Sequence, residues 1–272
     1  MFLRRALFVL IFTLAGCRAS PSVPRVALIA PFEGRYREVG YDALYAARLA
    51  LTESGQHVNL VALDDGGTLE SAIARAKALQ GDPLTIVTIL IGYHAVDSAT
   101  QTALGDIPAL IVGEWSSRHA SPISFVLTNP FNPVRLGYYL PFEITNAPDM
   151  STSSIGSDVL TLSSFLLLND NPNDIRIMSS GSLPDESFVH RYQMSDPFAP
   201  PPSLRSTLMY DAARIAIEAA RSGNRVAALQ AITETDYDGL NGRIRFESGY
   251  WRDAPLYAYE YIDGILQPST DD

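Results

Sequence analysis

Short apolar runs and helical stripes alternate along the first half of the chain. Val26-Ala27-Leu28-Ile29-Ala30 is an unbroken apolar run closed by Pro31 and Gly34, the pattern of a strand buried on both faces. Over 41–54 the residues Leu44, Ala47 and Leu51 share one helical face, and Gly55 supplies a stop. Residues 58–63 predict a second strand ending in Asp64-Asp65-Gly66-Gly67, and Leu69, Ile73, Ala76 and Leu79 mark a second helix. Residues 85–91 form a β-branched third strand, followed by a short helix over 97–104 and strands over 109–112 and 124–128. Strands alternating with helices predict a doubly wound lobe, a parallel sheet covered on both faces. Ligands bind such lobes beyond the carboxyl ends of the strands, which directs attention to loops 32–40, 64–68, 92–98 and 113–117.

The pattern loosens between 130 and 202, where Pro, Asn, Ser and Asp dominate. Only 158–168 and 188–193 predict helix there, and Ile175-Arg176-Ile177-Met178 suits a strand. Regularity returns with Leu204, Leu208, Ala212, Ile215 and Ala219, a helical stripe that stops at Gly223. A shorter helix through Val226, Leu229 and Ile232 follows, then strands over 243–246 and 256–261, with turns at Asn241-Gly242 and Asp263-Gly264.

The first residues carry a different signal. Arg4 and Arg5 precede an apolar run from Ala6 to Leu14 that is too short to span a bilayer, and Leu14-Ala15-Gly16-Cys17 closes it. This is similar to the lipobox of bacterial lipoproteins, so we expect 1–16 to be a signal peptide and Cys17 a lipidated residue. Residues 17–24 would be the tether. The plainer alternative is an ordinary signal peptide or an uncleaved anchor. Lipidation would place the remainder outside the cytoplasmic membrane, held there by the lipid alone.

Charge narrows the partners. The chain carries −10, and removal of Arg4 and Arg5 leaves −12, which disfavours nucleic acid and anionic lipid surfaces. Cys17 is the only cysteine and the four histidines lack ligand spacing, so neither disulfide nor metal is expected. There is no Gly-x-Ser-x-Gly elbow, Walker loop, Gly-x-Gly-x-x-Gly after Ala30 or His-x-x-x-His pair; no enzymatic activity and no cofactor are expected.

Two segments resemble the leucine/isoleucine/valine-binding type of ABC-transporter solute-binding protein. The first runs from Val26-Ala27-Leu28-Ile29-Ala30-Pro31-Phe32-Glu33-Gly34-Arg35-Tyr36 through Gly40 into an Ala-rich helix. The second comprises Tyr210-Asp211-Ala212-Ala213-Arg214, then Tyr237-Asp238-Gly239-Leu240-Asn241-Gly242-Arg243-Ile244-Arg245-Phe246, and ends over 259–264. The resemblance covers 25–128 and 155–266. It implies a type I periplasmic-binding-protein-like α/β fold: a doubly wound parallel-sheet lobe, with a reduced second α/β lobe because 129–154 stands where several βα units would lie. The implied division is 25–128 plus 204–235 for the first lobe, 129–203 for the second, 236–266 for closing strands and 267–272 for a tail.

The resemblance also implies a cleft. By position Asp97 or Ser98 contacts ligand in the first polar loop, Ser116 or Ser117 offers a hydroxyl in the second, and Tyr36 and Trp115 stack on the solute. The carboxylate that holds an amino-acid ammonium in this type of protein falls near Ser153, which carries no charge. Plainer roles stand beside these: Asp97 and Ser98 as N-caps, Trp115 as packing between lobes, Asp64-Asp65 as turn and cap. The implied function is a lipid-anchored protein delivering a small polar or amino-acid-like solute to an ABC permease. The alternative is a regulatory lipoprotein that keeps the fold without a ligand.

Overall fold

The computed structural model describes residues 22–113, 115, 121–130, 145–146, 154–168, 173 and 175–269. The expected signal peptide, Cys17, Ser116, Ser117, Ser153 and much of 129–154 lie outside the described residues.

The expected parallel sheet is present. β1 (Arg25–Ala30), β2 (Asn59–Asp64), β3 (Thr85–Leu90), β4 (Ala109–Val112) and β5 (Ser124–Leu127) pair in the order β2-β1-β3-β4-β5, all parallel. Every residue of β3, β4 and β5 is buried, as apolar runs without alternation require. Helix α1 (Arg37–Ser54) starts four residues before the expected start at Tyr41, because its first turn, Arg37-Glu38-Val39-Gly40, hides the helix behind charge and glycine. A short 3-10 turn, Gly34–Tyr36, leads into it. Helices α2 (Leu69–Gln80) and α3 (Ser98–Ala103) complete the first βα units.

A second sheet is mixed. It contains β6 (Thr145–Asn146), β7 (Ser154–Ser157) and β8 (Ile175–Ser179), with β7 and β8 parallel. The helix expected over 158–168 divides into a 3-10 turn, Asp158–Thr161, and α4 (Ser163–Leu168), because Leu162 is extended with ψ 140°. After β8 the chain returns to the first unit: α5 (Glu186–Ser195) packs on α1, as does α6 (Leu204–Ala220), with α7 (Arg225–Thr233) beside α6. A ribbon of β9 (Tyr237–Gly239) and β10 (Gly242–Ile244) follows. β11 (Phe246–Glu247) and β12 (Tyr250–Trp251) then extend the first sheet beyond β5, whereas β13 (Tyr257–Ile262) and β14 (Ile265–Pro268) extend the second beyond β8.

The chain thus passes between the sheets after β5, after β8 and after β12. Asn129 gathers these crossings: its backbone N–H donates to Ser180 Oγ at 2.8 Å and its side-chain amide to the Ala254 carbonyl at 2.6 Å. The two sheets have separate apolar cores. One joins the first sheet to α1, α5 and α6; the other contains Leu160, Ile175, Ile177, Leu204, Tyr259 and Tyr261.

Candidate functional site

β1 to β5 are parallel and so end on the same side of the first sheet, where loops 32–40, 64–68 and 92–98 and the described part of 113–117 lie. Pro31 organises them. A Cβ on Gly40 would lie 2.1 Å from the Pro31 carbonyl oxygen, and one on Gly92 would lie 2.6 Å from Pro31 Cδ. Both glycines therefore let the loop after β1 settle against α1 and against the loop after β3. Phe32 N–H donates to Asp64 Oδ1 at 2.7 Å, and Gly67 N–H donates to Asp65 Oδ1 at 2.8 Å. Asp64 and Asp65 are thus turn acceptors. Burial raises the Asp65 carboxyl above its ordinary range, against the pull of the Gly67 N–H and of His94.

Asp97 is the N-cap of α3, its Oδ1 accepting from Ala99 N–H at 2.8 Å, and Ser98 is exposed. The loop before them is fastened from within by Thr100 Oγ1 on the His94 carbonyl at 2.9 Å and Gln101 Nε2 on that of Val96 at 2.7 Å. Capping geometry accounts for these residue types without a ligand.

Tyr36 and Trp115 do come together. Their rings meet edge to face at 6.3 Å and 85°, and Trp115 is buried in the first core with Tyr36 packed against that core. Gly113, at φ +89°, lies close to both Trp115 and the second sheet: a Cβ there would be 3.0 Å from Trp115 Nε1 and 3.6 Å from Asp158 Oδ2.

Asp158 is the residue that sequence reasoning missed. The resemblance implies a carboxylate near Ser153, whereas Asp158 stands just past the carboxyl end of β7, fully buried, facing the loop after β4. Asp158 after β7 and Asp65 after β2 are both buried and both directly follow a strand end, a signal that the helix reading of 158–168 concealed.

Arg205 was missed as well. It sits in the first turn of α6 between Leu204, which belongs to the second core, and Leu208, which belongs to the first. Its Nη2 donates to Asp42 Oδ2 at 2.9 Å, and its Nη1 donates to the Asp158 carbonyl at 2.8 Å and to Thr161 Oγ1 at 2.7 Å. Ser203 Oγ also donates to Asp42 Oδ2, at 2.6 Å. Burial raises the Asp42 carboxyl, opposed by Arg205 and Ser203.

The motif around Asp211 proves architectural. Asp211 accepts from Leu240 N–H at 2.9 Å, Asn241 N–H at 3.0 Å and Asn241 Nδ2 at 2.7 Å. Asn241 Oδ1 in turn accepts from Ser182 N–H at 2.7 Å and Thr207 Oγ1 at 3.0 Å. The Tyr-Asp-Ala and Asp-Gly-Leu-Asn-Gly segments are therefore two halves of one knot between α6, the turn joining β9 to β10, and the crossing after β8.

Among the described residues no group of three or more His, Cys, Asp or Glu is arranged to hold a metal. Nor, among them, is any helix long and apolar enough to cross a membrane.

Neither a scan of protein-family models nor a search of curated proteins yields a match. Solved structures do match. A leucine-binding protein, LivK, from Thermotoga maritima is 14% identical, with a TM-score of 0.67 over 91% of this chain and 98% of that one. The branched-chain amino acid transporter substrate-binding protein LivJ from Streptococcus pneumoniae, in complex with isoleucine, is 12% identical, with a TM-score of 0.70 over 90% and 98%. A fatty acid ABC transporter substrate-binding protein from Thermomonospora curvata is 13% identical, with a TM-score of 0.70 over 92% of each chain. At such identities the likeness concerns the backbone. The two sheets, the three crossings between them and these matches together establish that the chain has the type I periplasmic-binding fold of branched-chain amino acid substrate-binding proteins.

Proposed function

We propose that this chain is an extracytoplasmic solute-binding protein, anchored through lipidated Cys17, that captures a small molecule between its two lobes for an ABC permease. The observation that carries the reading is the meeting of the lobes at the carboxyl ends of β4 and β7. There the half-buried Tyr36 ring rests edge to face on the buried Trp115, and Asp158 stands against Gly113. A solute with an apolar portion for the rings and a cationic or hydrogen-donating group for Asp158 suits this chemistry. Asp158 supplies the charge that Ser153 lacks, which keeps an amino-acid-like solute in play. Asp97 and Ser98 belong to the proposed wall; Ser116, Ser117 and Ser153 lie outside the described residues and are proposed as ligand contacts from the sequence resemblance alone.

The reading is supported by the structural neighbours, one of which is in complex with isoleucine while another is a fatty acid ABC transporter substrate-binding protein. Native mass spectrometry of the protein purified without denaturation tests it. A small-molecule adduct is expected on the parent chain and is lost in Trp115→Ala and in Asp158→Asn. Replacement of Cys17 by Ser should release the protein from the membrane fraction.

A second reading, a ligand-free regulatory lipoprotein, draws support from the near-complete burial of Trp115 and Asp158, at 1% and 0% exposure. Absence of any adduct from parent and variants alike would favour it.

A further inference from the structure

The boundary between the two apolar cores is polar. Asp42, Ser157, Asp158, Arg205, Ser206 and Thr207 are all buried, and among the described residues Arg205 is the largest charged side chain so enclosed. Its guanidinium reaches in two directions. Toward the first lobe it meets Asp42 on α1, with Glu38 Oε1 at 3.6 Å. Toward the second it meets the Asp158 carbonyl and the Thr161 hydroxyl. Glu38 spans the same boundary by itself: its Oε2 accepts from Ser163 N–H, at the start of α4, at 2.9 Å.

We propose that Arg205 is a positioning residue that latches the lobes, holding the turn that carries Asp158 against the first two turns of α1 before any solute arrives. The inference rests on the cleft proposed above, because the turn it holds is the one that brings Asp158 to Gly113. A latch made of charge-assisted hydrogen bonds suits a cleft that must also open. Arg205 keeps its ion pair with Asp42 inside the first lobe, and the contacts that break, to the Asp158 carbonyl, the Thr161 hydroxyl and the Ser163 N–H, are groups that water can satisfy once the lobes part. The crossings joined through Asn129 provide the pivot on which such a movement would turn. The ligand-free site is then preorganised: Asp158 is fixed through its own backbone carbonyl, independently of what its carboxylate binds.

The test is an interlobe distance with no solute added. In the full-length chain carrying Cys17→Ser, spin labels are placed on Glu70→Cys in α2 and Leu167→Cys in α4, both exposed positions. Pulsed-dipolar spectroscopy should give one narrow distance distribution with Arg205 present. Arg205→Met, which keeps the length of the side chain and removes its charge, should add a second, longer-distance population; Arg205→Lys should restore part of the short one. If Arg205→Met does not fold, Thr161→Val and Glu38→Gln remove latch contacts from either side and should broaden the distribution in the same direction. An unchanged distribution in folded variants, even with lowered thermal stability, overturns the proposal and leaves Arg205 as packing alone. Since no solute is used, that result would not bear on whether the cleft binds one.

Discussion

Asp211 shows how a single side chain joins a sequence motif to a fold. With three N–H donors of Leu240 and Asn241 converging on its carboxylate, Asp211→Ala leaves buried donors without an acceptor, and a loss of about 3 kcal/mol of unfolding free energy is expected in urea titrations. Burial also pushes its carboxyl up to about 6 from the ordinary 3.8. The folded state then binds the proton more tightly than the unfolded chain. This carboxyl accordingly makes stability fall as pH rises from about 4 to about 6 and adds no slope above that, a change on the order of 3 kcal/mol. Stability measured against pH should lose this descending component in Asp211→Asn; an identical descent in that variant would remove Asp211 as its source. Gly40 makes a steric counterpart. A methyl group there would overlap the Pro31 carbonyl at 2.1 Å, so Gly40→Ala should destabilise by roughly 1–3 kcal/mol and displace the loop leading to Tyr36. Neither role could be assigned from sequence alone, since a Gly in a helix or an Asp beside Tyr reads as punctuation until its spatial neighbour is known.

Secondary-structure elements were legible in proportion to how far local patterning decided them. The buried strands β1, β3, β4 and β5 were each recognisable within a residue, because a strand covered on both faces must be a continuous apolar run. β7 was not: in Ser154-Ile155-Gly156-Ser157 only Ile155 is a strong apolar residue, and the strand exists because β8 pairs with it in parallel. β14 and the short β11–β12 pair escaped for the same reason, being recruited by neighbouring strands. Helix starts behave differently, since they depend on caps. Asn224 caps α7 by accepting from Val226 N–H at 2.8 Å and Ala227 N–H at 3.1 Å, while Arg225 binds the carbonyls of Thr85 and Asp82 at 2.9 and 2.7 Å. Asn224→Ala should therefore cost about 1 kcal/mol in chemical denaturation. Arg225→Met should loosen α7 from the β3 end of the sheet, visible as faster amide hydrogen exchange across 225–233. Unaltered exchange there would show that apolar packing by Ala228 and Ile232 suffices.

At the scale of the whole molecule, the first lobe and the two-ended motif were readable, but the relation between the lobes was not. That relation depends on Arg205, Asp158 and Asn129, which lie in three distant segments and whose polar types suggest a surface when read singly. Folding turns them inward: Asn129 ties the crossings together, Arg205 bridges the lobes and Asp158 faces the loop after β4. Of the predicted site residues, Tyr36 and Trp115 form a pair, Asp97 caps a helix and Ser98 lies exposed beside it. The account stands on one claim, that this paired-lobe arrangement binds a solute. Thermal unfolding of the lipid-free chain beginning after Cys17, run against amino acids, amides, short peptides, sugars and fatty or aromatic carboxylates, tests it most directly. One chemical class should raise stability by about 2.7 kcal/mol at a hundredfold excess over its dissociation constant, and Trp115→Ala should abolish the gain. A midpoint unmoved by every class would contradict solute binding and leave the ligand-free reading in its place.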